Sequence, residues 1–414
     1  MRAINISSIA KNTALLFASI LIAFVIIEGG FRLTVPALNL QPNKGIAVAD
    51  DNGYTVFQKN TDRYMESAEL KRPVHIKTNG EGFIGHDYPL EKPSSTMRIA
   101  MLGDSFLDGT QIDYEKTFPH FLEEEFNKVK TDIKFEFMNF GVGGQGTVEE
   151  ILRFYHYVAK YKPDYTILFF YPNDFENNQY YLDKRDLFTK KNPVWKDTKQ
   201  TDANFKQERK DFKYKALKTL RSAQYLDLAV RRNALLSAIA VKLGLQSAGV
   251  MGAPKDGIHP SFFIYQDPLQ ESHKKVYDFT AELMAFLEDL TKEYQSQLIV
   301  VYIPEAAQVD DGMWAELQNT IPGLSKYRWN LFQPNQFLRE RLSADLISYL
   351  DLTPIFKKFY RDNPGVYFYN QKGQFYNGHF NEQGHREVTM VLAQYLCQDQ
   401  KIKTHCSSFG SFSE

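Results

Sequence analysis

From residue 97 onward the sequence alternates short apolar runs of strand length with longer stretches of helical patterning, and this alternation restricts the fold more than any other feature. The runs are 97–102 (MRIAML), 134–140, 165–171 (YTILFFY), 298–303 (LIVVYI) and 346–352, and helical spacing of apolar residues marks 117–130, 148–161 and 382–396. Short runs that stay apolar instead of alternating with polar residues suit strands buried on both faces. Strands in turn with helices predict a parallel sheet covered by helices on either side.

With 414 residues the chain can hold one large domain or two small ones. Its 43% hydrophobic and 24% charged residues are those of an ordinary globular protein. The net charge of -1 gives no reason to expect a nucleic acid partner. The 24 Tyr and 32 Phe are many, and Tyr-rich loops suit carbohydrate surfaces.

Before the sheet, residues 13–27 (TALLFASILIAFVII) carry no charge; Glu28 interrupts the run, which resumes as far as Arg32. A bilayer span takes about 20 apolar residues, so the segment spans if Glu28 sits at the interface. Arg2 and Lys11 precede it and favour a cytoplasmic N-terminus. A cleaved signal peptide is the rival reading, but no small-x-small site follows the run. The expected organisation is an anchor over 1–33, a stalk-like lead-in rich in Pro, Asn and Gly over 34–95, and a main domain over 96–414 on the far side of the membrane from the cytoplasm. Within that domain an insertion over 176–266, with a helix at 214–243, would form a cap beside the sheet edge. Cys397 and Cys406 could close a short disulfide loop in an exported domain, or remain free thiols. Neither has metal-ligand spacing.

Three strands in succession end in polar or Gly-rich turns. The first leads into Gly103-Asp104-Ser105-Phe106, the second into Asn139-Phe140-Gly141-Val142-Gly143-Gly144-Gln145-Gly146, the third into Pro172-Asn173-Asp174. A Ser at the carboxyl edge of a parallel sheet stands where open α/β folds bind ligands. The same residue types also make ordinary strand-to-helix turns. The backbone N–H groups of Ser105 and Gly144 and the Asn173 amide could serve as donors to an oxyanion. A base is available in Asn377-Gly378-His379-Phe380-Asn381, which leads into the last helix, where Asn381 can cap.

In this order the motifs resemble those of the SGNH (GDSL) hydrolases: Gly-Asp-Ser at 103–105, Gly144 in its turn, Asn173 in Pro-Asn-Asp, and His379 in Gly-His-Phe-Asn. Asn79-Gly-Glu-Gly-Phe83 and the anchor ending in Glu28 are similar to the membrane-anchored bacterial branch. The resemblance covers about residues 75 to 396 apart from the insertion. It implies a flavodoxin-like three-layer α/β/α fold with a five-stranded sheet, acyl transfer or ester hydrolysis through Ser105 with His379 as base, and no cofactor. The substrate expected is an ester on a small molecule or a cell-envelope glycan.

One position departs from the family pattern. An Asp is usual two or three residues before the His, and here Asn377 and Tyr376 stand there. Asn can orient the ring without supplying charge, and Asp351 or Asp174 could supply the acid from elsewhere. A Ser-His dyad or a weakened enzyme are the other outcomes. An O-acyltransferase acting on an envelope polysaccharide would use the same residues, and a non-catalytic envelope-binding protein is the alternative from another class. Asp256-Gly257-Ile258-His259-Pro260 contains the missing Asp-His pair, but two strands and the closing helix still follow it. Gly141 to Gly146 also fits a dinucleotide fingerprint, with Asp174 as the sole acidic residue near the ribose position.

Overall fold

In the computed structural model, which describes residues 6–34, 46–50, 54–67, 69–128, 132–188, 220–222, 258, 260–370 and 378–406, the lead-in is not a stalk. It holds two antiparallel hairpins: β1 (Ala47–Ala49) with β2 (Thr55–Phe57), and β3 (Asp62–Ser67) with β4 (Arg72–Lys77). Short strands with mostly exposed side chains show little of the alternation that marks a strand in sequence. The segment nevertheless buries Val74, Ile76 and Phe83, and it belongs to the same compact unit as the sheet.

The five apolar runs become β5 (Thr96–Gly103), β6 (Lys134–Asn139), β7 (Tyr165–Phe170), β8 (Gln297–Tyr302) and β9 (Ser348–Asp351). They pair in parallel in the order β6-β5-β7-β8-β9. Every residue of β5 and β7 is buried, which explains their unbroken apolar character. Successive side chains point to opposite faces. Met97, Ile99, Met101, Phe135, Phe137, Ile167 and Phe169 join one core with Phe118 and Leu122 of the helix Phe118–Lys128 and with Val388 and Leu392 of Glu382–Leu396. Thr166, on the other face, bonds Ser296 at the end of the helix Glu271–Glu293. Helices thus cover both faces. The helix expected over 148–161 is shorter: Thr147–Arg153 is α-helical, and a π-turn (Phe154–Val158) and a 3-10 turn (Ala159–Tyr161) complete it.

Counted in chain order, the strands of this sheet run 2-1-3-4-5. In such doubly wound sheets the ligand crevice lies where the winding reverses, here between β5 and β7. Buried Arg153 draws the ends of two strands together below that crevice, donating from Nη1 to the carbonyls of Gly103 (3.2 Å) and Phe140 (2.9 Å). Cys397 and Cys406 are joined in a disulfide that ties the tail to the last helix.

Contacts divide the chain into two units, Met1–Pro42 with Ala203–Ser247, and Asn43–Asp202 with Ala248–Glu414. In the first, Ile6–Thr34 is a 29-residue helix with Leu21, Ile22, Val25 and Ile26 exposed. Glu28, the one acid of its apolar run, is buried and accepts from Arg32 Nε (2.7 Å), Ser222 Oγ (2.6 Å) and the N–H groups of Arg221 and Ser222. Among the described residues no helix is long and apolar enough to cross a membrane, and the side chains of residues 6–14 lie outside them. The cap helix expected over 214–243 falls almost wholly outside the described residues, as do Asp256 and His259.

Candidate active site

β5 ends at Gly103, and Asp104 then caps a short helix, Ser105–Asp108, by accepting from the Phe106 N–H at 2.9 Å. That turn presents Ser105 at the carboxyl edge of the sheet. The glycine turn after β6 closes over this helix at van der Waals range. A Cβ on Gly141 would lie 2.6 Å from the Asp108 nitrogen, and one on Gly143 would lie 2.9 Å from Asp108 Oδ2 and 3.2 Å from Ser105 Cβ. Asp108 fastens the turn by accepting from the Gly143 N–H at 2.9 Å, and its burial raises its pKa to about 6. Gly144 has φ +73, and the position its Cβ would take is open space. The turn is filled by the helix Ser105–Asp108, and Asp174 is fully buried on the Tyr171 N–H (3.0 Å), so the dinucleotide arrangement is not built here.

Asn173 opens the helix after β7, and its Nδ2 donates to Asp104 Oδ2 at 3.1 Å. One of its two amide protons is thus committed to the residue beside Ser105, and the other remains for a ligand. Burial raises the pKa of Asp104.

His379 arrives on an extended segment bridged to the chain at Tyr369↔Phe380, and the Asn370 N–H donates to its carbonyl at 2.8 Å. Asn381 then caps the last helix, accepting from the Gly384 N–H at 2.9 Å. Phe106 packs against the imidazole with ring centroids 5.1 Å apart. His379 Nε2 lies 2.8 Å from Ser105 Oγ.

The partner of the other ring nitrogen is Glu69, at the tip of the β3–β4 hairpin, whose Oε1 receives the His379 Nδ1–H in a short hydrogen bond. Glu69 Oε2 accepts from the His379 backbone N–H at 3.1 Å and from Asn370 Nδ2 at 2.9 Å. With Nδ1 protonated toward Glu69, Nε2 is left to accept from the Ser105 hydroxyl. Burial disfavours the imidazolium, but the Glu69 carboxylate outweighs it and holds the His379 pKa above its ordinary value. Burial likewise opposes the Glu69 charge, and the bond to His379 overcomes it and lowers the carboxyl pKa.

The carboxylate bonded to His379 is thus neither Asp351 nor Asp174. Asp351 accepts from Asn335 Nδ2 (2.7 Å), Arg339 Nη2 (3.0 Å) and the Thr353 N–H (2.9 Å), capping the helix Leu352–Asp362. Asp174 is fully buried and accepts from the Tyr171 N–H through Oδ2, and it makes no bond to His379. Asn377 lies outside the described residues, and the ring nitrogen it was expected to orient is bonded to Glu69. No local signal marks Glu69, which stands 310 positions from its histidine in a segment without strand periodicity. Among the described residues no cluster of His, Cys, Asp or Glu could hold a metal ion.

A family model described as GDSL-like lipase/acylhydrolase matches residues 99–392. The chain belongs to that family. This GDSL-family protein is an ester-hydrolysing enzyme. Solved structures similar to it include an acetylxylan esterase from Geobacillus stearothermophilus, at 11% identity and TM-score 0.38, with 78% of this chain and 100% of that one covered. A two-domain esterase active on acetylated mannans is 11% identical with TM-score 0.37, covering 77% of this chain and 52% of that one. No curated protein is significantly similar in sequence. The family match begins at residue 99, so Glu69 lies outside it.

Proposed function

We propose that this GDSL enzyme cleaves its ester through a Ser105 acyl-enzyme, with His379 as base and Glu69 as the acid behind it. Ser105 Oγ attacks the carbonyl carbon while His379 Nε2 takes the hydroxyl proton. The developing oxyanion is met by the N–H groups of Ser105 and Gly144 and by the free proton of Asn173 Nδ2. The ester C–O bond breaks as His379 returns the proton to the departing alkoxide. Water then enters by the reverse sequence, with His379 again the base, and releases the acid. Glu69 keeps Nδ1 protonated and stabilises the imidazolium formed at each step. The observation that supports this reading best is the unbroken chain Ser105–His379–Glu69 at the winding reversal of the sheet.

The enzyme works outside the cytoplasmic membrane, held by the apolar run 13–27 and its continuation past Glu28 to Arg32, with its N-terminus inside. Support comes from Arg2 and Lys11 ahead of that stretch and from the Cys397–Cys406 disulfide, which suits an oxidising compartment.

The test is hydrolysis of a short-chain aryl ester by the detergent-solubilised full chain, with labelling by a fluorophosphonate. Ser105→Ala is expected to lose both the label and about 10³-fold or more in turnover. Full activity in that variant would remove Ser105 from the mechanism.

A further inference from the structure

The carboxylate that meets His379 sits on a hairpin that cannot hold itself in place. Along β3 only Ser67 is fully buried, and an isolated two-stranded hairpin is marginal in water. Val74 and Ile76 of β4 are buried, and the polar bonds that fix the tip run to one segment of the sheet domain, residues 111–115. Ser67 Oγ donates to the Gln111 carbonyl at 2.9 Å. Arg72 Nη2 donates to Asp113 Oδ2 at 3.0 Å, the His75 N–H donates to Asp113 Oδ1 at 2.9 Å, and His75 Nδ1 lies 2.6 Å from Glu115 Oε1. Asp113 thus uses both oxygens on β4, immediately behind the tip that carries Glu69. The segment that bears it continues from the nucleophile's helix, Ser105–Asp108, through the left-handed Gly109. The nucleophile and the acid are fastened to one short stretch of chain.

We propose that Asp113 is a positioning residue for the reaction, fixing the β3–β4 hairpin so that Glu69 reaches His379 Nδ1. The proposal rests on the reading of Glu69 as the acid behind His379. Asp113 touches neither Ser105 nor His379 in the bonds it makes, and its side-chain bonds to β4 link it to the hairpin that carries Glu69. Its loss would remove the two polar bonds directly behind the tip while Val74 and Ile76 stay buried, and would let the carboxylate shift; a displacement of about 1 Å in a reacting constellation can cost up to about 10²-fold.

The test is a double-mutant cycle on the full chain in detergent, with Asp113→Asn, Glu69→Gln and the pair, reading kcat and KM on a short-chain aryl ester. Asp113→Asn is expected to lower kcat by about tenfold or more with KM nearly unchanged. In the Glu69→Gln background the same substitution should cost less than about twofold. The low-field proton resonance of the His379–Glu69 bond should weaken or broaden in Asp113→Asn. A merely structural role would lower kcat by the same factor in both backgrounds, and that result, or an unchanged kcat in Asp113→Asn, overturns the proposal. If Asp113→Asn fails to fold, Arg72→Gln enters the cycle in its place, with the same expectation and the same overturning result. Wild-type kcat in Glu69→Gln would overturn the reading of the acid and this proposal with it. A large Glu69 effect with equal Asp113 factors would overturn this proposal alone.

Discussion

At the scale of single residues, the proposed mechanism turns on Glu69, which meets the histidine from a hairpin and not from the position where an Asp is usual in the family. Glu69 reaches Nδ1 and the backbone N–H of the same residue, so it fixes both the tautomer and the orientation of the ring. In Ser-His-Asp enzymes a neutral amide in place of the acid costs about 10⁴-fold by favouring the wrong tautomer. Glu69→Gln should therefore lower kcat by about 10²- to 10⁴-fold while the protein still folds and binds ester, as steady-state kinetics on an aryl ester would report. Asp351 gives the contrast. It is buried and fully engaged as a helix cap, so Asp351→Asn should leave turnover within about twofold and appear instead as a loss of about 1 kcal/mol in a denaturant titration. A large kinetic effect at 351 with none at 69 would reverse the two roles.

Among the elements, the turn between β6 and the helix Thr147–Arg153 packs directly on the helix that carries Ser105. A methyl group on Gly143 would press on Asp108 Oδ2 and on Ser105 Cβ together, and neither can retreat, because Asp108 is held by Thr110 and Gly143 while Ser105 belongs to the capped helix. Gly143→Ala should lower kcat by about tenfold or more and raise KM less, since the displaced turn also carries the Gly144 N–H. Equal changes in kcat and KM would place the turn in substrate binding instead.

The strands of the central sheet were readable in sequence because full burial leaves runs such as YTILFF unbroken, and the closing helix because its apolar spacing begins just after a capping Asn381. Ser105, Gly144, Asn173 and His379 could be picked out because each follows, or leads out of, such an element. The two lead-in hairpins were not readable: β1 exposes all three of its residues, and β3 exposes four of six. The contact that gives Glu69 its meaning is a tertiary one that no local pattern encodes.

At the scale of the whole molecule, the proposed extracytoplasmic location rests on residues near the two ends of the sequence. The disulfide closes a loop between residues nine apart and holds Cys406 in the core below the last helix. Such a loop is worth roughly 2 kcal/mol, so Cys406→Ser should lower the melting temperature by a few degrees, and a reductant should lower that of the wild type but not of the variant. If the anchor reading holds, the chain should sediment with membranes and be extracted by detergent but not by carbonate or high salt; release by salt would contradict it. The proposed relay joins both ends of the hydrolase unit, His379 near the C-terminus and Glu69 on a hairpin before the sheet. The dependence of kcat/KM on pH in wild type and Glu69→Gln tests it most directly. His379 must be neutral to accept the Ser105 proton, and Glu69 holds its pKa up, so wild-type activity should fall as pH drops through a value above that of an ordinary imidazole. In Glu69→Gln that acid limb should move to lower pH while the plateau falls by about 10²-fold or more. An acid limb and plateau unchanged by the substitution would contradict the account.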